Sequence, residues 1–500
     1  MLRNHHQSGG HKTRLGLIGL IEKHKGASLR KNQIAALTNA IAPLTIRKCF
    51  DTITRECFMS KSTVAVVRYE KPYESVKKAL ELSDGLSRLP SQARVFIKPN
   101  IVFWTRSVAF PKWGVITTSR VIEDMVKLLK EYGVEHITIG EGVVMRDRKD
   151  TKTPAHAFET LGYNTLKKRY NVSTVNVFER PFRKIDLGED ITLKFNQDIL
   201  ESDFIVDIPA MKTHNQTVVS LGIKNLKGVI DMNSRKTCHN ADPIKDLHYH
   251  VARLADKLPP IFTLIDGIYT LERGPAFDGR MQRSNLLVAS ADILAGDMVG
   301  AKLLGYDVTA VPHLVHAAKN RGRSVDLSDI EIVGEDIETA ASFHEHDFQY
   351  TVNETCCLPV PLAKQGLEGI HYRKFDSTLC TYCSGITGLV LTAIRYAWKG
   401  EPWEDIEVLN GKIMKPTKGM KKTILLGKCM YQLNKNNPDI REMIAIKGCP
   451  PKPDDIVKAL HQAGIEADPG LFENIDQSPG FFMSRYENKP EFDEGFFRIK

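Results

Sequence analysis

The stretch SRVIEDMVKLLKEYGVEHITIGEG, residues 119–142, decides the fold. Its first half repeats apolar residues at helical spacing: Val121, Ile122, Met125, Val126 and Leu129 share one face, and Gly133 stops the pattern. The second half, HITIGEG (136–142), reads as a strand running into a glycine loop. Upstream, RVFIKPN (94–100) reads as another strand that ends in a loop. Downstream, DFIVDIPA (203–210), FTLIDGI (262–268), NLLVAS (285–290) and DIEIVG (329–334) repeat the scheme. Near-continuous apolar strands separated by helices predict an α/β fold, a mostly parallel sheet covered by helices on both faces. Ligands of such sheets sit beyond the carboxyl ends of the strands, where most of the polar stretches of this sequence fall.

A large α/β domain is expected over 59–350. A smaller α/β domain follows over 355–500, with the turn CTYC, an apolar helix (386–398), strands KTILLG (422–427) and EMIAIKG (442–448), and the helix DDIVKALHQAG (454–464). Beyond 465 the periodicity fades into an irregular tail, expected to wrap the surface. The 500 residues suffice for two or three domains, and 42 % apolar with 26 % charged residues is ordinary globular composition. No run approaches the about 18 apolar residues of a membrane span.

The net charge of +9 sits at one end. Residues 1–58 hold ten Lys/Arg against three Asp/Glu, which leaves 59 basic and 57 acidic residues for the remaining 442. A nearly neutral body has no broad electrostatic footprint for nucleic acid. The basic segment overlaps in composition with transit peptides. Because Met59 opens a clean strand–turn–helix start, the segment reads as a disordered extension or non-native leader, and it is set aside from the fold.

The nine cysteines are Cys49, Cys57, Cys238, Cys356, Cys357, Cys380, Cys383, Cys429 and Cys449. An odd number, with no secretory signal, argues against a disulfide framework and for a cytoplasmic setting. Cys380 and Cys383 form a C-x2-C turn before a helix, while Cys429 (LLGKCM) and Cys449 (IKGCPP) each follow a strand. Four thiolates are what a cubane iron–sulfur cluster requires. Gly427 and Gly448 admit close approach of backbone, Pro450 and Pro451 stiffen the last loop, and Lys428, Lys447 and Lys452 add positive charge. The helix starting near Asp454 turns its positive end to the same region. A four-thiolate zinc site and a set of inert thiols compete, although zinc usually takes two close knuckles and only one is present.

The order C-x2-C, G-x-C, G-C-P-P resembles the cluster unit of the small subunit of nickel–iron hydrogenases and the related cluster subunit of NADH–quinone oxidoreductases. That resemblance implies that Cys380, Cys383, Cys429 and Cys449 ligate one 4Fe-4S cluster. Only 45 residues separate Cys383 from Cys429, so the intervening insert is trimmed. The quinone-oxidoreductase version uses adjacent cysteines, which makes Cys356–Cys357 a rival pair; the helix directly after C-x2-C favours the latter.

The segment PAMKTHNQTVVSLGIKNLKGVIDMNSRKTCHN (209–240) is unusually polar after an apolar strand. Lys212, His214, Thr217, Lys224, Asn225 and Lys227 can converge on an anion, or can form a solvated basic loop. IKPNIV, this segment, DGIYTLERGP and VASADILAGDMVGAKLLG together resemble the domain-of-unknown-function family 362 over roughly 60–335. That resemblance implies the fold and an association with iron–sulfur modules, and it carries over Lys98, Asn100, Lys212, His214, Thr217, Lys224, Asn225, Lys227, Asp266 and Asp297. The family's DPVAVD stands here as DILAGD (292–297). His239, His248 and His250 offer a possible second metal site, with a surface or helix-stabilising role as the plainer reading. GPAFDGR (274–280) is a loop able to close over a ligand. No dinucleotide or P-loop glycine pattern is present.

The sequence therefore points to an iron–sulfur oxidoreductase passing electrons between one 4Fe-4S cluster and an anionic substrate or cofactor. In that reading His214 donates a proton, Lys212 positions charge, and Lys98, Asn100, Thr217, Lys224, Asn225, Lys227 and Asp266 line the large-domain site. A cluster-dependent lyase and a non-catalytic electron carrier or assembly factor with a redox partner protein remain open at this level.

Overall fold

Alternate residues of the central strands face opposite cores. In β1 (Ser62–Arg68), Val64 and Val66 join one apolar cluster while Ala65 and Val67 join the other. In β2 (Arg94–Pro99), Phe96 faces the first cluster, and Val95 and Ile97 face the second. A period of two with both faces apolar forces a sheet buried on both sides. The computed structural model describes residues 61–144, 149–353 and 355–499, and the basic extension 1–58 lies outside the described residues.

The sheet continues with β3 (His136–Glu141), β4 (Ser173–Asn176), β7 (Phe204–Ile208), β8 (Ala210–His214), β9 (Val218–Ser220), β10 (Ile261–Glu272), β11 (Arg280–Ser290) and β12 (Ile330–Gly334). Between β4 and β7, the strands β5 (Phe182–Asp186) and β6 (Thr192–Asn196) form a separate hairpin. The main order is β12-β1-β11-β10-β7-β2-β3-β4, with β8 on β10 and β9 on β8. Helix Ser119–Glu131 lies between β2 and β3 in the chain and buries Val121, Ile122, Met125, Val126 and Leu129, the face its spacing predicts. Each such side chain contributes about 1.5–3 kcal/mol of burial.

β10 and β11 depart from the parallel expectation, for they pair antiparallel. Only residues 273–279 separate them, too few for the crossover a parallel pair demands. The GPAFDGR loop is thus largely the tip of this hairpin.

The second sheet runs in sequence order through β13 (Tyr350–Val352), β14 (Cys356–Pro359), β15 (Ile370–Tyr372), β16 (Ile406–Leu409), β17 (Lys422–Leu426) and β18 (Glu442–Ile446). All its pairs are parallel except β13 with β14. Helix Thr381–Ala397 connects β15 to β16, and helix Lys428–Asn434 connects β17 to β18. Both sheets belong to one compact unit, Lys61–Lys500. The C-terminal tail does not simply wrap the surface. Tyr486 and Phe497 are buried in the core of the first sheet, where Phe497 and Phe492 pack edge-on against Trp113. A tail without periodicity still carries aromatic area, and that area pulls it into the core.

One glycine makes a sharp test of the second sheet. Gly369, just before β15, has φ +72°, and a Cβ there would fall 2.0 Å from the Trp403 carbonyl oxygen. Gly366 also has positive φ but meets nothing within 4 Å. Gly366→Ala is expected to cost only the left-handed strain, about 1–2 kcal/mol. Gly369→Ala adds a backbone clash, so its thermal unfolding midpoint should fall well below that of Gly366→Ala in parallel melts.

Candidate functional site

The carboxyl ends of the first sheet hold a buried polar network. Lys98 is the penultimate residue of β2, and its ammonium donates to Glu141 Oε2 (2.8 Å), the Pro99 carbonyl (2.7 Å) and Asn225 Oδ1 (3.2 Å). Three donors meet three acceptors, so Lys98 has no proton left for a ligand. Asn225 also accepts from Asn100 Nδ2 (2.8 Å) and donates to Asp207 Oδ1 (2.8 Å). Lys212, on β8, donates to Asn100 Oδ1 (2.6 Å) and to the Val115 carbonyl (2.7 Å). Burial pushes Lys212 down to about 7, with Glu141 opposing and Lys98 assisting. Lys98, Asn100, Lys212 and Asn225 are therefore brought together, as a brace that locks strand ends to the helix Gly222–Asn225.

Other predicted residues also hold backbone. Asp266 accepts from the Thr118 (2.7 Å) and Ile268 (3.1 Å) amides, and burial pushes its carboxyl up to about 6. Asp297 accepts from the Gly222 (2.6 Å) and Ile223 (2.8 Å) amides and so fixes the start of that short helix; burial lifts it to about 7. The Thr217 hydroxyl donates to the Val219 carbonyl at 3.0 Å.

A second, cationic group lies beside this brace. His214 Nδ1 accepts from the Gln216 amide (3.1 Å), and its Nε2 lies 3.4 Å from Lys224 Nζ. Lys227 Nζ lies 2.6 Å from His239 Nε2, whose Nδ1 is bonded to the Ser377 carbonyl at 2.8 Å. That carbonyl can only accept, so His239 Nε2 is the acceptor for Lys227. Burial, and then Lys227, hold His239 well below the usual histidine range. His250 bonds instead to the Asp246 carbonyl, and His248 stacks on His313 with ring centroids 6.3 Å apart. The three candidate metal histidines are thus held by separate partners.

The contact with Ser377 joins this group to the cysteine turn. Gln216 Nε2 donates to the Asp376 and Leu379 carbonyls, each at 2.9 Å. Lys412, after β16, donates to the Lys236 (3.2 Å) and His239 carbonyls. The loop that leads into Cys380 is thereby clamped onto the basic loop of the large sheet. Sequence reasoning missed Gln216, Arg235, Lys236, Cys238 and Lys412; the one available signal was that Lys412, like the chosen residues, follows a strand.

Cys380 caps the helix Thr381–Ala397. The neighbouring Cys383 thiol, aided by the Tyr382 amide and Lys412 against burial, pulls Cys380 down to about 5. Cys383 is held up by Cys380, by burial, and by Cys429 and Cys449. Cys429 is raised by burial, with Lys412 opposing and Cys380 and Cys449 assisting. All four thiols thus lie within electrostatic reach of one another. Gly427 has φ +90°, and a Cβ there would sit 3.6 Å from Cys383 Sγ, so the glycine leaves room beside that sulfur. Cys380 is buried, whereas Cys429 and Cys449 are exposed. Cys356 packs in the second sheet's core, apart from this group. Among the described residues, no group of three or more His, Cys, Asp or Glu is drawn together tightly enough to hold a metal ion as it stands. A surface hollow of about 800 Å³ lies at the other end of the large sheet, around Arg94, His136 and Ser173, away from this chemistry. No described helix is long and apolar enough to cross a membrane.

Fold and site define an α/β protein in which a buried lysine–histidine group adjoins four neighbouring cysteines. Residues 95–302 match the family described as Domain of unknown function (DUF362). The chain is 24 % identical over 251 residues, 49 % of its own length and 74 % of the relative's, to the Thylakoid-associated protein sll1697 of Synechocystis sp.. Among solved structures, the lactate racemase apoprotein from Thermoanaerobacterium thermosaccharolyticum gives a TM-score of 0.34 at 13 % identity. That likeness covers 49 % of this chain and 57 % of the other.

Proposed function

We propose that this chain is an iron–sulfur oxidoreductase or electron-transfer protein, with Cys380, Cys383, Cys429 and Cys449 as ligands of one 4Fe-4S cluster. The observation that carries the reading is the placement of Cys383 among the other three thiols, with Lys412, after β16, acting on both Cys380 and Cys429. The donor set fits the group: four thiols at element ends, a helix N-terminus at Cys380, and space beside Cys383 at Gly427. Bound there, the cluster would supply single-electron transfer. Lys227 and Arg235 place positive charge for an anionic substrate or cofactor, and Lys224, His214 and Lys212 stand beside them. The exposure of Cys429 and Cys449 favours, as a second reading, an electron carrier that meets a redox partner protein at this edge.

Anaerobic purification with iron and sulfide analysis tests the proposal, followed by electron paramagnetic resonance of the dithionite-reduced protein. About four iron and four sulfide per chain with a reduced-cubane signal are expected. Zinc in their place, or no metal after anaerobic reconstitution, overturns it.

A further inference from the structure

We infer that Lys224 is a free amine set to form an imine with a small oxo acid, a carbonyl compound that also carries a carboxylate. The first argument is the tautomer of His214. The Gln216 amide donates to Nδ1, so the neutral ring carries its proton on Nε2, the nitrogen 3.4 Å from Lys224 Nζ. An ammonium there would set N–H against N–H, whereas an unprotonated amine offers the lone pair that this N–H needs.

The second argument is the company Lys224 keeps. Facing it are His214 on β8 with Lys212, Lys227 on the next turn, Arg235 and Cys238 on the helix Met232–Cys238, and His313 on the helix Pro312–Asn320. Among the described residues no carboxylate forms an ion pair with it, in contrast to Lys98 with Glu141 at 2.8 Å. Burial, then Lys227, Lys212 and Arg235, hold Lys224 well below the ordinary lysine range. This is how an amine becomes a nucleophile at neutral pH. Lys224 is also partly exposed, whereas Lys98 and Lys212 are sealed.

The cations also select the substrate. Among the described residues Lys227 gives one proton to His239 and has two to spare, and Arg235 is buried with its Nε unpartnered. These are donors suited to a carboxylate. In the reaction the Lys224 lone pair attacks the carbonyl carbon, and the C=O π pair moves to oxygen, which takes the His214 Nε2 proton. As that proton leaves, one of the two hydrogens on the attacking nitrogen passes to His214, which stays neutral, and the carbinolamine then loses its hydroxyl with the remaining amine hydrogen as water. The net change is amine plus carbonyl to imine plus water, with no redox change. The inference rests only on the anionic-substrate half of the proposed function and needs no iron.

The test is reductive trapping on the full chain with glyoxylate and cyanoborohydride, followed by peptide mass spectrometry, with and without bound iron. One carboxymethyl group on Lys224 is expected near about pH 7, forming at least about tenfold faster than on surface lysines, since each unit of lowered pKa raises the free-amine fraction tenfold. Lys224→Arg, which keeps the charge, should lose this label and keep the slow background. Propionaldehyde, which has no carboxylate, should label Lys224 more slowly than glyoxylate does. Labelling of Lys224 no faster than of surface lysines, or equal rates with both aldehydes, overturns the inference. Trapping on iron-free chain would leave it standing even where the cluster proposal fails.

Discussion

A Cys383→Ser chain, reconstituted anaerobically, is expected to fall from about four iron per chain to less than about one, since a cubane needs its thiolate set. Cys383 is the variant to make first because all three other candidate thiols are among its electrostatic neighbours. It is also less exposed than Cys429 and Cys449, so water cannot readily take its place as a ligand. Cys356→Ala is the matched control. Cys356 lies in the core of the second sheet, so its loss should lower the unfolding midpoint and leave the iron content unchanged. Full iron in Cys383→Ser, or equal iron loss in both variants, would remove the four-thiol assignment and return Cys356–Cys357 to consideration.

That the four cysteines stand at element ends was readable because those signals are local. A C-x2-C turn before a helix and two cysteines directly after strands report their own positions at element ends, and the strands β17 and β18 fall where their apolar runs lie. The strand–helix–strand unit at 94–142 was legible for the same reason. The antiparallel turn of β10 into β11 was in principle legible too, since residues 273–279 cannot hold a crossover, but apolar content alone hides strand direction. What no local signal reports is that the basic segment after β8 and the turn before Cys380 touch. That contact rests on a glutamine side chain reaching two carbonyls and a histidine reaching a third, across more than a hundred residues of chain. Nor does the sequence distinguish a lysine that offers its protons outward from one that spends them inside the fold. Lys98 and Lys224 look alike in the string, and the structure gives them opposite surroundings.

That contrast yields the largest stability effect expected here. Lys98→Met should destabilise the chain by about 3–5 kcal/mol, because it strands Glu141, itself 2 % exposed, as a buried charge without its partner. Among the described residues, the Ile101 and Gly142 amides alone would remain to hydrogen-bond that carboxylate. Adding Glu141→Gln removes the stranded charge, so the double variant should regain about half of the loss, as coupled neighbours do. Lys224→Met removes an amine crowded by cations and, among the described residues, paired with no carboxylate, so it should leave the midpoint unchanged or raise it. Urea unfolding followed by tryptophan fluorescence reads all of these, because Trp104 and Trp113 are buried in the first sheet's core. If Lys98→Met unfolds like the parent while Lys224→Met collapses, the roles are reversed: Lys98 would be free to meet a ligand and Lys224 would brace the fold. The expected order instead places structural work in the brace and leaves the cationic group, which the fold does not need, for chemistry.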